Sequence, residues 1–196
     1  GTTVFSGGSG GTATMNISGA GSSATFPRLS LGDTAGSTVN VSDGGQLSCL
    51  GNTDVGFTFG SDAFVSVNVT GNGSRWINAG SIQLFSGFGN AINITGGGTA
   101  ECNGAAINVE AGITVDGAGS RWVNSSSLDL LGDMTVSNGG GVENTNPAAT
   151  TKVRFDSFTR VQGAGSTWNI AGDLEVGNFD GRVLISSGGH IQAANT

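Results

Sequence analysis

The sequence predicts an all-β solenoid, a single-stranded parallel β-helix of about eight coils, each roughly 21–28 residues long. Three observations predict it. Residues 92–112 (INITGGGTAECNGAAINVEAG) and 113–133 (ITVDGAGSRWVNSSSLDLLGD) match in residue class column by column. Apolar residues two apart recur along the whole chain, which is the mark of strands. Glycine clusters return at the same place in each unit. A repeat this short cannot bury its apolar face alone and must stack on its own copies. An antiparallel sandwich of short strands is the competing fold, but it gives no reason for glycines to repeat in position.

Each coil opens with an apolar pair: Met15/Ile17, Val39/Val41, Val67/Val69, Ile92/Ile94, Ile113/Val115, Met134/Val136, Thr159/Val161 and Val183/Ile185. These starts are unevenly spaced, as loop insertions on a constant frame would give. A second pair is read as Leu29/Leu31, Phe57/Phe59, Ile82/Leu84, Ile107/Val109, Leu128/Leu130, Val153/Phe155 and Leu174/Val176.

Between the pairs, two coil types alternate. Odd coils carry GxGSxW at Gly71–Trp76, Gly117–Trp122 and Gly163–Trp168, with a degenerate Gly19–Ala24. Even coils carry a glycine turn at Gly44–Gly45, Gly96–Gly98, Gly139–Gly141 and Gly188–Gly189. If the even turn is one residue shorter, a third inward column reads Leu47, Trp76, Ala100, Trp122, Val142, Trp168, Ile191. Each Trp then lies between smaller residues, which fills stacked layers without clashes. Asn144–Thr151 is expected to be a loop leaving the coil, with smaller ones at 51–56 and around Phe85–Asn90, where Phe88 is an exposed aromatic candidate.

The repeat makes residues 1–196 one elongated domain, with coils starting near 15, 39, 67, 92, 113, 134 and 159 and half-coils at 1–14 and 183–196. Net charge is −7 with one lysine, which argues against nucleic acid and anionic membranes as partners. No apolar run is long enough to span a bilayer, so no membrane insertion is expected. No signal peptide is visible and the first residue is Gly, which reads as a processed product or a piece of a longer chain. The Gly/Ser/Thr/Asn-rich, Lys-poor composition suggests an exported, extracellular or cell-surface protein. Cys49 and Cys102 fall at the same place two coils apart, roughly 9.6 Å at the ordinary strand spacing. That is beyond disulfide reach, so both are expected as buried free thiols.

No catalytic, metal or cofactor constellation emerges. Glu101 and Glu143 are repeat equivalents, roughly 9.6 Å apart, and equivalent positions share residue types without sharing chemistry. Asp129, Arg154 and Glu175 are expected in one outward column as a surface ion ladder. His190 lacks a partner set and is expected to face solvent. GAGS at 117–120 and 163–166 lacks the Lys-Ser/Thr and helix of a phosphate loop, so it is a turn. The outward column Asn16, Asn40, Asn68, Asn93, Thr114, Thr135, Arg160, Leu184 starts as an Asn/Thr ladder and then breaks, against an ice-binding face. Sequons occur at Asn16, Asn40, Asn68, Asn72, Asn93 and Asn124.

Solenoid ends expose unpaired strands unless capped. Val183–Thr196 followed by Gly1–Thr14 gives a segment as long as coil 39–66, with a like layout. A head-to-tail junction is therefore expected at Thr2, Thr3, Val4, Phe5, Val183, Ile185 and Ile191, which would build an open filament. A cut through a longer repeat protein would look the same.

The pattern in Val161–Ile191 (VQGAGSTWNIAGDLEVGNFDGRVLISSGGHI), Val67–Gly98 and Ile113–Gly141 resembles the repeat family of type V autotransporter passengers and PEP-CTERM exported proteins. The resemblance covers roughly residues 67–193. It implies a right-handed parallel β-helix, export, and a stalk or adhesin role. The expected function is a non-enzymatic extracellular structural subunit whose partner is itself. The alternatives are an adhesin segment binding a glycan or cell surface, with specificity in loops such as 144–151, and a carbohydrate-active β-helix enzyme.

Overall fold

The computed structural model describes residues 1–6, 11–32, 36–56, 64–86, 89–177 and 179–195. The chain winds as a parallel β-solenoid with three strands per coil. The first side is an eight-stranded sheet: Ala13–Ser18, Ser37–Ser42, Val65–Thr70, Ala91–Thr95, Gly112–Asp116, Asp133–Ser137, Phe158–Gln162 and Arg182–Ser186. It encloses about seven full turns. All its neighbours pair in parallel, and no register shift interrupts it. The opening pairs align as read from sequence, from Met15/Ile17 to Val183/Ile185.

The second side runs from Ser23–Phe26 through Gln46–Cys49, Arg75–Asn78, Thr99–Cys102, Arg121–Asn124 and Gly141–Asn144 to His190–Asn195. The third runs from Thr3–Phe5 through Leu29–Leu31, Thr53–Val55, Ile82–Leu84, Ala105–Ile107 and Leu128–Leu130 to Thr150–Val153. The strand Thr167–Val176 belongs to both and joins them into one 15-stranded sheet, because its corner opens into a register shift between Ile170 and Asp173.

The Trp column forms as predicted. Leu47 aligns with Trp76, Trp76 with Ala100, Ala100 with Trp122, Trp122 with Val142, Val142 with Trp168 and Trp168 with Ile191. The path from the opening pair's second member to this column is one residue longer in odd coils (Val69 to Trp76) than in even ones (Ile94 to Ala100), without exception. That difference belongs to the turn.

The third side corrects three of the predicted second pairs. Thr53/Val55 stands between Leu29/Leu31 and Ile82/Leu84, and Phe57/Phe59 fall outside the described residues. Ala105/Ile107 stands where Ile107/Val109 was expected, leaving Val109 45% exposed. Thr151/Val153 replaces Val153/Phe155, and Phe155 sits in the following turn with a positive φ of 56°. In each case a buried Thr or Ala holds an inward position that a more apolar residue nearby seemed to claim.

The expected loops shift accordingly. Thr53–Val55 is strand, so 51–56 is no insertion. Asn144 and Thr150–Val153 are strand too, which reduces the 144–151 loop to a corner at 145–149. Phe88 falls outside the described residues. Most of the length variation lies instead at the corner from third side to first. There the path from Val55 to Val67 is three times as long as the path from Leu130 to Met134.

Candidate functional site at the two open ends

Among the described residues, the solenoid presents unpaired backbone at each end. At the lower end Thr3–Phe5, Ala13–Ser18 and Ser23–Phe26 each pair on one edge only. At the upper end the same holds for Arg182–Ser186 and His190–Asn195, with Leu174–Val176 beside them on the third side. Climbing the solenoid, the sides come in the order third, first, second. The lower end begins on the third side, and the upper end finishes on the second.

The predicted junction residues all lie on these faces. Thr3 and Phe5 point inward below Leu29 and Leu31, and Val4 points out, 57% exposed. Thr2 is exposed just before that strand. Val183 and Ile185 crown the first-side columns and Ile191 crowns the Trp column. Ile185 is 51% exposed, while Val41 and Val69, in the same column, are 0% exposed. The end residues also differ in size across the gap. Ile191 and Ala193 crown the columns that begin with Ala24 and Phe26, so stacking would set large on small in both.

Apart from His190, the other sequence candidates lie away from these faces or within ion pairs and turns. Glu101 and Glu143 are held by Arg75 at 2.6 Å and Arg121 at 2.5 Å. The hydrogen bond from Arg121 holds the Glu143 carboxyl below its usual range and raises the Arg121 guanidinium. Asp129 aligns with Lys152, not with Arg154, but Arg154 reaches back from just beyond its strand to grip Asp129. Lys152 pairs with Glu175 at 3.6 Å. His190 is exposed at the head of its strand. GAGS at 117–120 is a turn: its Ser120 Oγ donates to the Asp116 carbonyl (2.6 Å) and accepts from the Gly97 N–H (3.0 Å).

The Asn column is a ladder. Asn40, Asn68 and Asn93 each donate Nδ2–H to the Oδ1 of the Asn one coil before, at 2.8, 2.8 and 2.9 Å. The sequons there follow from the fold: on a strand, Asn and the Ser/Thr two residues on share one outward face. Cys49 and Cys102 are free and buried. Burial pushes the Cys102 thiol up to about 12, opposed by hydrogen bonds from the Trp122 indole and the Gly104 backbone.

Sequence reasoning missed the buried amide column beside the Trp column. Asn78, Asn124 and Asn144 point inward at 2, 0 and 4% exposure. Asn124 accepts from the Gly104 N–H (2.7 Å) and donates to the Ser126 and Ser127 carbonyls (2.9 and 3.0 Å). The Asn two residues after Trp76 and Trp122 was the signal for two of them, while Asn144 follows Val142.

No family model matches the chain, and no curated protein matches it. Among solved structures it is similar to the crystal structure of a TibC-catalyzed hyper-glycosylated TibA55-350 fragment. The identity is 17% over 98% of this chain and 92% of that one, with a TM-score of 0.23. An overlap of that size carries no argument about function.

Proposed function

We propose that the protein is a non-enzymatic, exported structural subunit whose solenoids stack head to tail into a surface fibre. The observation that supports this best is that the outermost second-side strands keep the inward columns of the coils between them and complement in size, Ile191 and Ala193 above against Ala24 and Phe26 below. Backbone pairing across the junction would satisfy the open edges and bury Val176, Ile185 and Phe5. Such a contact is heterologous and does not close, so it propagates. Engagement of Glu101, Glu143 and Asp129 by arginines supports a structural over a catalytic use of the acids.

Negative-stain electron microscopy tests the reading. Unbranched fibres are expected, with a repeat near the rod height of about 38 Å, eight strands at the usual spacing. Ile185→Lys places a charge on the upper face of a folded subunit and should leave single rods, and added to wild type it should shorten the fibres. Wild-type protein that stays monomeric through a concentration series in light scattering would overturn the proposal.

A further inference from the structure

The corner from third side to first carries a groove that the stacking reading does not use. It crosses four successive coils, so its length is about 14 Å at the ordinary spacing. Its volume is about 470 Å³. The floor is made of small residues, Ala111, Gly112 and Gly132, the last on the shortest connection between coils at this corner. Gly132 has no room for more: a Cβ there would lie 2.3 Å from the carbonyl oxygens of Ala111 and Asn108. Val109 and Leu131 form an apolar wall.

One aromatic ring lines the groove at one end, and a second lies just beyond the other, against the lining residue Gly89. Phe64 is 60% exposed and lies on Gly89, whose Cβ would meet the ring at 2.3 Å. Phe155 is 38% exposed at the other end and stacks on Phe179 of the next coil, with ring centroids 4.9 Å apart. Phe155 and Asp156 are both left-handed, at φ 56° and 58°, and Phe179 and Asp180 repeat this at 73° and 63°. Bulky residues rarely take that conformation, because the side chain crowds the backbone. Two adjacent coils thus carry the same strained turn, and both leave a phenyl ring in solvent.

The charge in the groove is of one sign. Glu110, Asp133 and Asp156 line it, and no cation among the described residues does. Glu110 and Asp133 form no ion pair among the described residues, and Asp133 accepts the Phe158 N–H at 2.8 Å. Asp156 has a loose contact with Arg182, 3.8 Å away and 67% exposed. Arg154 stacks over the Phe155 ring but its guanidinium is held by Asp129.

We infer that this groove binds a short saccharide bearing protonated amines, an amino-sugar oligomer. The exposed edge of Phe155 and the Val109 and Leu131 wall meet the C–H groups of sugar rings, the Gly/Ala floor lets a flat ring approach the backbone, and the carboxylates face the ammonium groups. A phosphate or uronic acid would meet three carboxylates and no cation.

Titration calorimetry on the whole chain tests this with three ligands of matched length: oligomers of glucosamine, glucose and glucuronate. The glucosamine oligomer should bind with one-to-one stoichiometry and about tenfold tighter than the glucose oligomer, the sum of three partly exposed ion pairs. The glucuronate oligomer should not bind. Glu110→Gln with Asp156→Asn should erase the preference for the amine. Glu143→Gln with Glu175→Gln, which removes the same charge from other faces, should keep it. Phe155→Ala should weaken both the amine and the neutral ligand, with an unchanged unfolding midpoint showing that the turn is intact. Equal loss in the control pair would reduce the effect to net charge and overturn the inference. So would neutral and amine oligomers binding alike, which would point to a neutral glycan, or no binding at all. None of these outcomes depends on whether the subunits stack.

Discussion

Odd and even coils solve the same corner in opposite ways, and the difference explains why the repeat is two coils long. In an odd coil the corner carries a serine: Ser74, Ser120 and Ser166 are buried, and each donates to the carbonyl four residues before it, at 2.7, 2.6 and 2.7 Å. Each also accepts the N–H of a glycine in the even turn one coil earlier: Gly44, Gly97 and Gly139, at 3.1, 3.0 and 3.0 Å. The even coil has no inward hydroxyl of this kind at its corner: Asp43 and Asn138 bond instead to Ser18 and Asp116 of the coil before. Its second glycine presses on the coil below, where a Cβ at Gly45, Gly98 or Gly140 would lie 2.3 Å from a backbone oxygen. One corner reaches down with a hydroxyl, and the other narrows to glycine at the point where it is reached. The extra residue of the odd turn also sets Trp in odd coils against small residues in even ones.

The largest expected effect breaks the interior half of this comparison. Trp122→Ala should cost about 4 kcal/mol in urea unfolding, and Val142→Ala, the even counterpart in the same column, about 2 kcal/mol. Equal losses would mean the alternation of size does not matter. Next comes Gly98→Ala, expected to cost about 3 kcal/mol because the close contact is with the rigid Val69 backbone. Gly97→Ala should cost only the about 1 kcal/mol of a left-handed alanine, and the reverse order would sink the close-approach account. Ser120→Ala strands a buried N–H and a carbonyl and should cost about 1–2 kcal/mol. Ser125→Ala should be near neutral, because that exposed hydroxyl makes long bonds, at 3.2 and 3.4 Å.

The thiols sharpen the comparison from the even side. Cys102 packs against Trp122 of the next coil, with its thiol raised to about 12. Neither it nor Cys49 should react with Ellman's reagent at neutral pH until the coil opens. Fast native-state labelling would place the sulfurs elsewhere. The smallest effect is outside. Glu143 has a lowered carboxyl, so its bond to Arg121 contributes stability above the ordinary carboxylate range and loses it as pH falls through the lowered value. Glu143→Gln should flatten that part of the stability–pH profile and change neutral-pH stability by less than about 1 kcal/mol.

Legibility varied by side for physical reasons. The first side was readable throughout because its strands are five or six residues long and hold two apolar positions around a polar one. The third side misled because its strands have three or four residues, as at Thr53–Val55, Ala105–Ile107 and Thr150–Val153. A strand that short shows at most two inward positions, and here one of them is Thr or Ala. Buried Thr53 is tolerated because its hydroxyl donates to Asn78 Oδ1 at 2.6 Å, a partner on a different side of the solenoid. Nothing local to Thr53 announces that. The groove was unreadable for the same reason: Asn90, Glu110, Asp133 and Phe155 come from four coils, and only the corner brings them together.

The sequence by itself determined the coil, its alternation and its columns. In-register stacking copies each position along one axis, so periodicity in the chain is periodicity in space. The tertiary structure decided what lies between columns: the amide that admits Thr53 to the core, the sulfur beneath Trp122, and the corner where uneven connections leave a cleft. Those contacts join residues at unrelated phases of the repeat, and only the closed path of the coil sets their distance.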